Sequence, residues 1–187
     1  MAIKLIKKYI PGVLEIVTER HQDERGFFSE LLNYSELKNQ GLDTEFVQEN
    51  HSLSFKIGTI RGLHFQHPPF PQAKLVRCGR GKLLDVVVDI RLGSPTYGQW
   101  LIEELTFENG KQLFIPEGFL HGFITTEPNT EIIYKCSNFY NKLSEGCVKF
   151  NDPDLNIPWS KGNSDYIISD KDRDAVDFKD FHTPFNF

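Results

Sequence analysis

Between Lys82 and Ile90 the sequence KLLDVVVDI sets Leu84, Val86, Val88 and Ile90 on one face and Asp85, Val87 and Asp89 on the other. This is the period of two that a β-strand imposes on its side chains. Further segments of strand character follow at 100–107, 112–116, 121–126, 130–140 and 146–150. The stretch TIRGLHFQHPPFPQAKLVRC (59–78) reads as two strands joined by a proline-rich loop. Helix signals are sparse. NYSELKNQG (33–41) offers Ser35 as a cap and a terminal glycine, and in 169–178 Ser169 is followed three residues later by Asp172, as in a capping box. Many short strands with Gly- and Pro-rich turns predict an all-β sandwich or barrel, specifically a jelly roll, with short helices confined to the regions near the two termini.

Composition narrows the functional classes. A chain of 187 residues, 39% hydrophobic and 25% charged, can bury one sizeable core, and no linker, repeat or low-complexity tract divides it, so one domain over 1–187 is expected. A net charge of −5 excludes a general nucleic-acid binder, which needs a basic face to neutralise phosphates, but leaves room for a local basic pocket. Cys78, Cys136 and Cys147 form an odd set without metal-type spacing, and MAIKLIKKYIPGVLEI mixes lysines with apolar residues where a signal peptide has a continuous apolar run. The expected compartment is a reducing cytoplasm. No segment approaches the roughly 18 uncharged apolar residues of a membrane span.

Two spacings carry the chemistry. Gly58 stands six residues before His64, and Gly110, Pro116, Gly118 and His121 follow G-x5-P-x-G-x2-H, an arrangement that resembles the two motifs of the cupin superfamily. In metal-binding cupins the first motif continues H-x-H with a nearby glutamate. Here it reads His64-Phe65-Gln66, followed by HPPFP without an acid, and His67 alternates to the opposite face, so no metal is expected. The same alternation groups Gly62, His64 and Gln66 on one face against Arg61, Leu63 and Phe65, with Lys74 returning on a neighbouring strand.

The blocks DERGFFSE, FVQENHS, IRGLHFQ, KLVRC, VDIRLGSPTYGQW, FIPEGFLHGF, YKCSNFY and SEG occur in that order, with SDKD (169–172) as a last island. In this order they resemble the dTDP-4-dehydrorhamnose 3,5-epimerase family. The resemblance implies a metal-free and cofactor-free isomerase of nucleotide-sugar biosynthesis. It would convert dTDP-4-dehydro-6-deoxy-D-glucose to dTDP-4-dehydro-L-rhamnose by removing protons α to the C4 ketone at C3 and C5; relatives that invert one carbon only, or act on related 4-keto nucleotide sugars, leave that alternative open.

Such chemistry needs a base, a stabiliser of the enolate oxygen and an acid on the opposite face. The resemblance assigns His64 as base, since an imidazole titrates near neutrality and a carboxylate on its second nitrogen fixes its tautomer. It assigns that carboxylate to Asp172, with Asp170 and Asp174 as alternatives if the register slips, the oxyanion stabiliser to Lys74 and the acid to Tyr134. Arg25, Glu30, Gln48, Glu49, Asn50, Arg61, His121, Glu145 and Lys171 are the implied substrate contacts, and Phe139 the ring that stacks on the nucleobase. A homodimer is implied too, its N-terminal strand extending a partner's sheet so that Arg25 or Glu30 reaches the neighbouring site. The competing readings are a metal-dependent cupin oxygenase or isomerase and a non-catalytic sugar-binding cupin.

Overall fold

Alternating segments and turns assemble into two antiparallel sheets in the computed structural model, which describes residues 3–159 and 165–187. The strands in chain order are β1 (Ile3–Lys7), β2 (Leu14–Thr18), β3 (His21–Asp23), β4 (Gly26–Phe28), β5 (Gln48–Ser54), β6 (Ile60–Gln66) and β7 (Lys74–Arg80). They continue with β8 (Lys82–Asp89), β9 (Trp100–Thr106), β10 (Gln112–Ile115), β11 (Phe119–Thr125), β12 (Thr130–Cys136) and β13 (Glu145–Cys147). One sheet has the order β1-β2-β10-β7-β12-β5 and the other β13-β6-β11-β8-β9, while β3 and β4 form a separate hairpin. From β5 to β13 the chain changes sheet at every step except β8 to β9, which is the cupin-like jelly roll expected from the sequence. One expectation is corrected by this path. His64 on β6 and Lys74 on β7 lie in different sheets and approach across the sandwich, not along neighbouring strands.

Three apolar clusters hold the layers. Val76, Leu83, Val87, Leu105, Leu113, Phe123 and Ile132 fill the space between the sheets. On the outer face of the five-stranded sheet, Ile60, Leu63, Val86, Val88 and Leu120 pack under C-terminal side chains that include Phe150, Ile157, Trp159 and Phe185. The six-stranded sheet is covered at Leu75 and Phe114 by Leu37 and Leu42. β8 is therefore buried on both faces, which explains its unbroken Val86-Val87-Val88 run.

Both helices form, but shorter than their signals. α1 (Tyr34–Asn39) is capped by Asn33, whose side chain accepts from the Glu36 N–H, in place of Ser35. α2 (Asp170–Arg173) has the expected Ser169 cap on the Asp172 N–H but ends at Asp174, because Val176 leaves to bridge Val148. β12 stops at Cys136, where Ser137 turns to bond Ala73, and residues 137–141 become loop. β13 runs Glu145–Cys147, so of the expected 146–150 strand only Gly146 and Cys147 form it. The N-terminal segment, read as one strand free for a partner, folds back at Pro11-Gly12 and pairs with itself as β1–β2, leaving β1 at the sheet edge.

Gly62 is where strict alternation fails. It has φ +127°, and a Cβ there would stand 2.6 Å from Gly122 Cα and 2.8 Å from the His121 carbonyl oxygen. The β6–β11 register shifts between His121 and Phe123, and Arg61 thereby turns to the same side as His64 instead of following Leu63 and Phe65 outward. Gly62→Ala is expected to destabilise the fold by about 1–3 kcal/mol, read as a lower denaturant midpoint at unchanged slope.

Candidate active site

A cavity of two adjoining lobes, about 470 and 320 Å³, opens between the sheets, and His64, Lys74 and Tyr134 line both lobes. His64 and Arg61 on β6 and His121 on β11 belong to the five-stranded wall, Lys74 on β7 and Tyr134 on β12 to the six-stranded one. Lys74 is opposite Cys136 in the β7–β12 pairing, so Tyr134, two residues earlier, shares its face as a diagonal neighbour. Lys171 and Asp172 on α2 complete the first lobe.

His64 Nε2 lies 2.7 Å from Asp172 Oδ1, and Asp172 Oδ2 accepts the Gly62 N–H at 3.2 Å. The Ser169 cap holds the α2 turn that delivers this carboxylate, so Asp172, and neither Asp170 nor Asp174, is the partner of His64. Burial alone would raise the pKa of Asp172, but the bonds from His64 and Gly62 outweigh it and hold the carboxyl below its usual range. The stabilisation it contributes is thus complete above the ordinary carboxylate range and is lost only as pH falls through the depressed value. With Asp172 ionised, Nε2 carries the proton and Nδ1 is the free basic nitrogen.

The remaining groups are tuned mainly by burial. It lowers the pKa of Lys74, against the opposing charges of Cys136, Asp85 and Glu145, and raises that of Tyr134. His121 is likewise pushed down by burial and is bonded through Nε2 to Asp85 Oδ2 at 2.9 Å. In the second lobe Gln48, Asn50, Gln72, Tyr140 and Glu145 offer polar groups. Glu145 forms an ion pair with Lys171 across the rim and accepts from the Tyr140 hydroxyl at 3.2 Å.

Four expected contacts do not reach the cavity of their own chain. Arg25 sits in the β3–β4 turn, 85% exposed, and pairs with Asp23 at 2.5 Å. Glu30 accepts from Asn33 at 3.4 Å in the segment before α1. Glu49 alternates away from Gln48 and Asn50 and pairs with Lys135 on the outer face of β5. Phe139 is 64% exposed, and it is the following Tyr140 that lines the lobe, so the available ring keeps its hydroxyl. Sequence reasoning passed over Asp85, although two acids on one face of an otherwise apolar strand, Asp85 and Asp89, were the visible signal. Gln66 is tied up structurally: its Nε2 donates to Phe70 O and Phe139 O, and its Oε1 accepts the Asn141 N–H. It clamps the two loops at the mouth where metal-binding cupins place a ligand. Among the described residues His64, Cys147 and Asp172 are the one trio of donors within 4.8 Å of one another; burial, with Asp172 adjacent, pushes the Cys147 thiol up to about 12. A protonated thiol is a poor ligand.

Residues 7–180 match the family model described as dTDP-4-dehydrorhamnose 3,5-epimerase. The chain is 45% identical over 179 residues to the dTDP-4-dehydrorhamnose 3,5-epimerase of Shigella flexneri, an alignment covering 95% of this chain and 97% of the relative. It superposes with TM-score 0.90 at 45% identity on the dTDP-4-dehydrorhamnose 3,5-epimerase from Elizabethkingia anophelis, covering 95% of this chain and 97% of the other. It also superposes with TM-score 0.91 at 38% identity on a Legionella pneumophila 3,5-epimerase in complex with dTDP-4-keto-L-rhamnose, covering 97% and 95%. The ordered motifs and the jelly roll thus agree with all of these matches: the chain belongs to the dTDP-4-dehydrorhamnose 3,5-epimerase family, isomerases of dTDP-rhamnose biosynthesis.

Proposed function

We propose that a single domain spanning the 187 residues epimerises dTDP-4-dehydro-6-deoxy-D-glucose at C3 and C5, with His64 as base, Lys74 facing the enolate oxygen and Tyr134 as acid. One observation carries this reading. The base and the acid stand on opposite walls of one cavity, His64 in the five-stranded sheet and Tyr134 in the six-stranded sheet. Inversion requires that a proton leave one face of the ring and return to the other, and a single-walled site cannot do both. His64 Nδ1 takes the α-hydrogen, and the imidazolium that forms is stabilised by Asp172. The electrons pass to the ketone oxygen, beside which the half-buried Lys74 ammonium acts in a pocket of lower dielectric than bulk water. Tyr134, its phenol pKa raised by burial, then delivers its proton to carbon from the other side; solvent reprotonates Tyr134 and takes the proton held by the His64 imidazolium, which restores both groups. Arg61 and Lys171 supply cations for the diphosphate, and Tyr140 a ring for the base. Incubation of the 4-keto sugar in deuterated water, followed by NMR, tests the assignment: loss of the C3 and C5 hydrogens with inversion at both carbons supports it, and exchange at one alone identifies a single-centre epimerase.

The working unit in this reading is a homodimer in the cytoplasm. The β3–β4 hairpin makes no contact with the cavity of its own chain and exposes Phe27 and Phe28, and β1 ends the six-stranded sheet with an open edge. A partner's hairpin would bring Arg25 and Glu30 to the mouth of the site. All three cysteines are unpaired, as a reducing compartment favours, and no helix among the described residues is long and apolar enough to cross a membrane. Light scattering at micromolar concentration is expected to give twice the chain mass; a fully active monomer would contradict the shared site.

A further inference from the structure

Beside His64 and Asp172 lies a second histidine–carboxylate pair that the proton transfers above do not use. His121 stands directly opposite His64 in the β6–β11 pairing, and its Nε2 is bonded to Asp85 Oδ2 at 2.9 Å. The two pairs differ in access: the His64 side chain is 30% exposed and that of His121 8%, while Asp85 is fully buried. Asp85 Oδ1 is one of two wholly buried side-chain polar atoms without a hydrogen-bond partner among the described residues. Leaving such a group unpaired is costly, so a fold retains it where its charge serves a neighbour. The neighbour within electrostatic reach is Lys74, which also acts on His121. Asp85 faces inward from β8, the strand paired to the His121 strand β11, and His121 and Lys74 both line the first lobe.

We propose that Asp85 is a positioning residue of the epimerase, which fixes His121 as the Nε2–H tautomer with Nδ1 free as an acceptor and sets a counter-charge beneath the Lys74 ammonium. The proposal rests on the reading of Lys74 as the cation that meets the enolate oxygen. With Nε2–H committed to Asp85, His121 can accept a bond from a sugar hydroxyl and cannot compete with Lys74 for the oxyanion. The groups that act on Lys74 are Asp85 from β8, Cys136 from β12, Glu145 from β13 and His121 from β11, with Arg61, His64 and Tyr134 lining the same space. Burial drives the Lys74 proton off and the Asp85 charge opposes it, so removal of that charge deprotonates Lys74 at lower pH.

Asp85→Asn tests this. The expected result is a kcat reduced about tenfold or more with KM changed by less than about threefold. The basic limb of the pH profile should move down by about one unit or more. ¹⁵N spectra of His121 should lose the single Nε2–H tautomer, and Asp85→Glu should restore part of the activity. In a Lys74→Met background the Asp85→Asn effect on the basic limb should vanish. An unmoved basic limb together with an unchanged His121 tautomer overturns the proposal. If Asp85→Asn does not fold, the wild-type spectrum decides: a His121 protonated on Nδ1 overturns it. Wild-type kcat in Lys74→Met alone would instead strike the assigned role of Lys74 and leave the His121 tautomer as a separate result.

Discussion

Replacing His64 with alanine is expected to cost about 10²–10⁴-fold in kcat and to remove hydrogen exchange at both α-carbons together with product. The cavity contains other nitrogen groups, but none is placed to substitute. His121 is 8% exposed in its side chain and bonded to Asp85, and Lys74 belongs to the opposite sheet. The loss should be in kcat, since the polar groups of the second lobe and the cations at the mouth remain to hold the nucleotide. Asp172→Asn should fall between wild type and His64→Ala: an amide can orient the ring but does not stabilise its cation. Its pH profile should change accordingly. Steady-state rates together with NMR exchange in deuterated water check both variants.

Much of this site was legible before the fold. The spacing Gly58 to His64, the Gly110–Pro116–Gly118–His121 pattern and the Ser169-to-Asp172 cap are local features, set by turn and cap chemistry within a few residues, and each is found in place. What escaped was decided by long-range packing. Alternation alone assigned Arg61 outward, and the close approach of Gly62 to Gly122 reverses it. Glu49 lay in a block with Gln48 and Asn50, yet only strand pairing shows which side of β5 faces the cavity. Phe139 and Tyr140 are adjacent aromatics whose choice depends on how the 137–141 loop is clamped by Gln66. Asp85 is a further case, since a buried acid in a strand acquires a partner only when β8 and β11 pair.

Tyr134→Phe should behave differently from His64→Ala, with the rate of inversion falling by about 10²-fold or more while exchange continues. The ring still fills its place against the core between the sheets, so the structural loss is that of one hydroxyl. The base and Lys74 are untouched, an enolate forms, and His64 returns a solvent-derived deuteron to the face from which the hydrogen left. The recovered substrate therefore carries deuterium without change of configuration. If both carbons used a different acid, Tyr134→Phe would invert both centres at the wild-type rate and the opposite-wall assignment would fall.

The ratio of deuterium wash-in to inversion at C3 and C5, followed by NMR for the wild type, His64→Ala and Tyr134→Phe on the same 4-keto nucleotide sugar, tests the two-wall mechanism most directly. The account predicts wash-in coupled to inversion in the wild type, neither in His64→Ala, and wash-in that outlasts inversion in Tyr134→Phe. Wild-type exchange at both carbons in His64→Ala would contradict it.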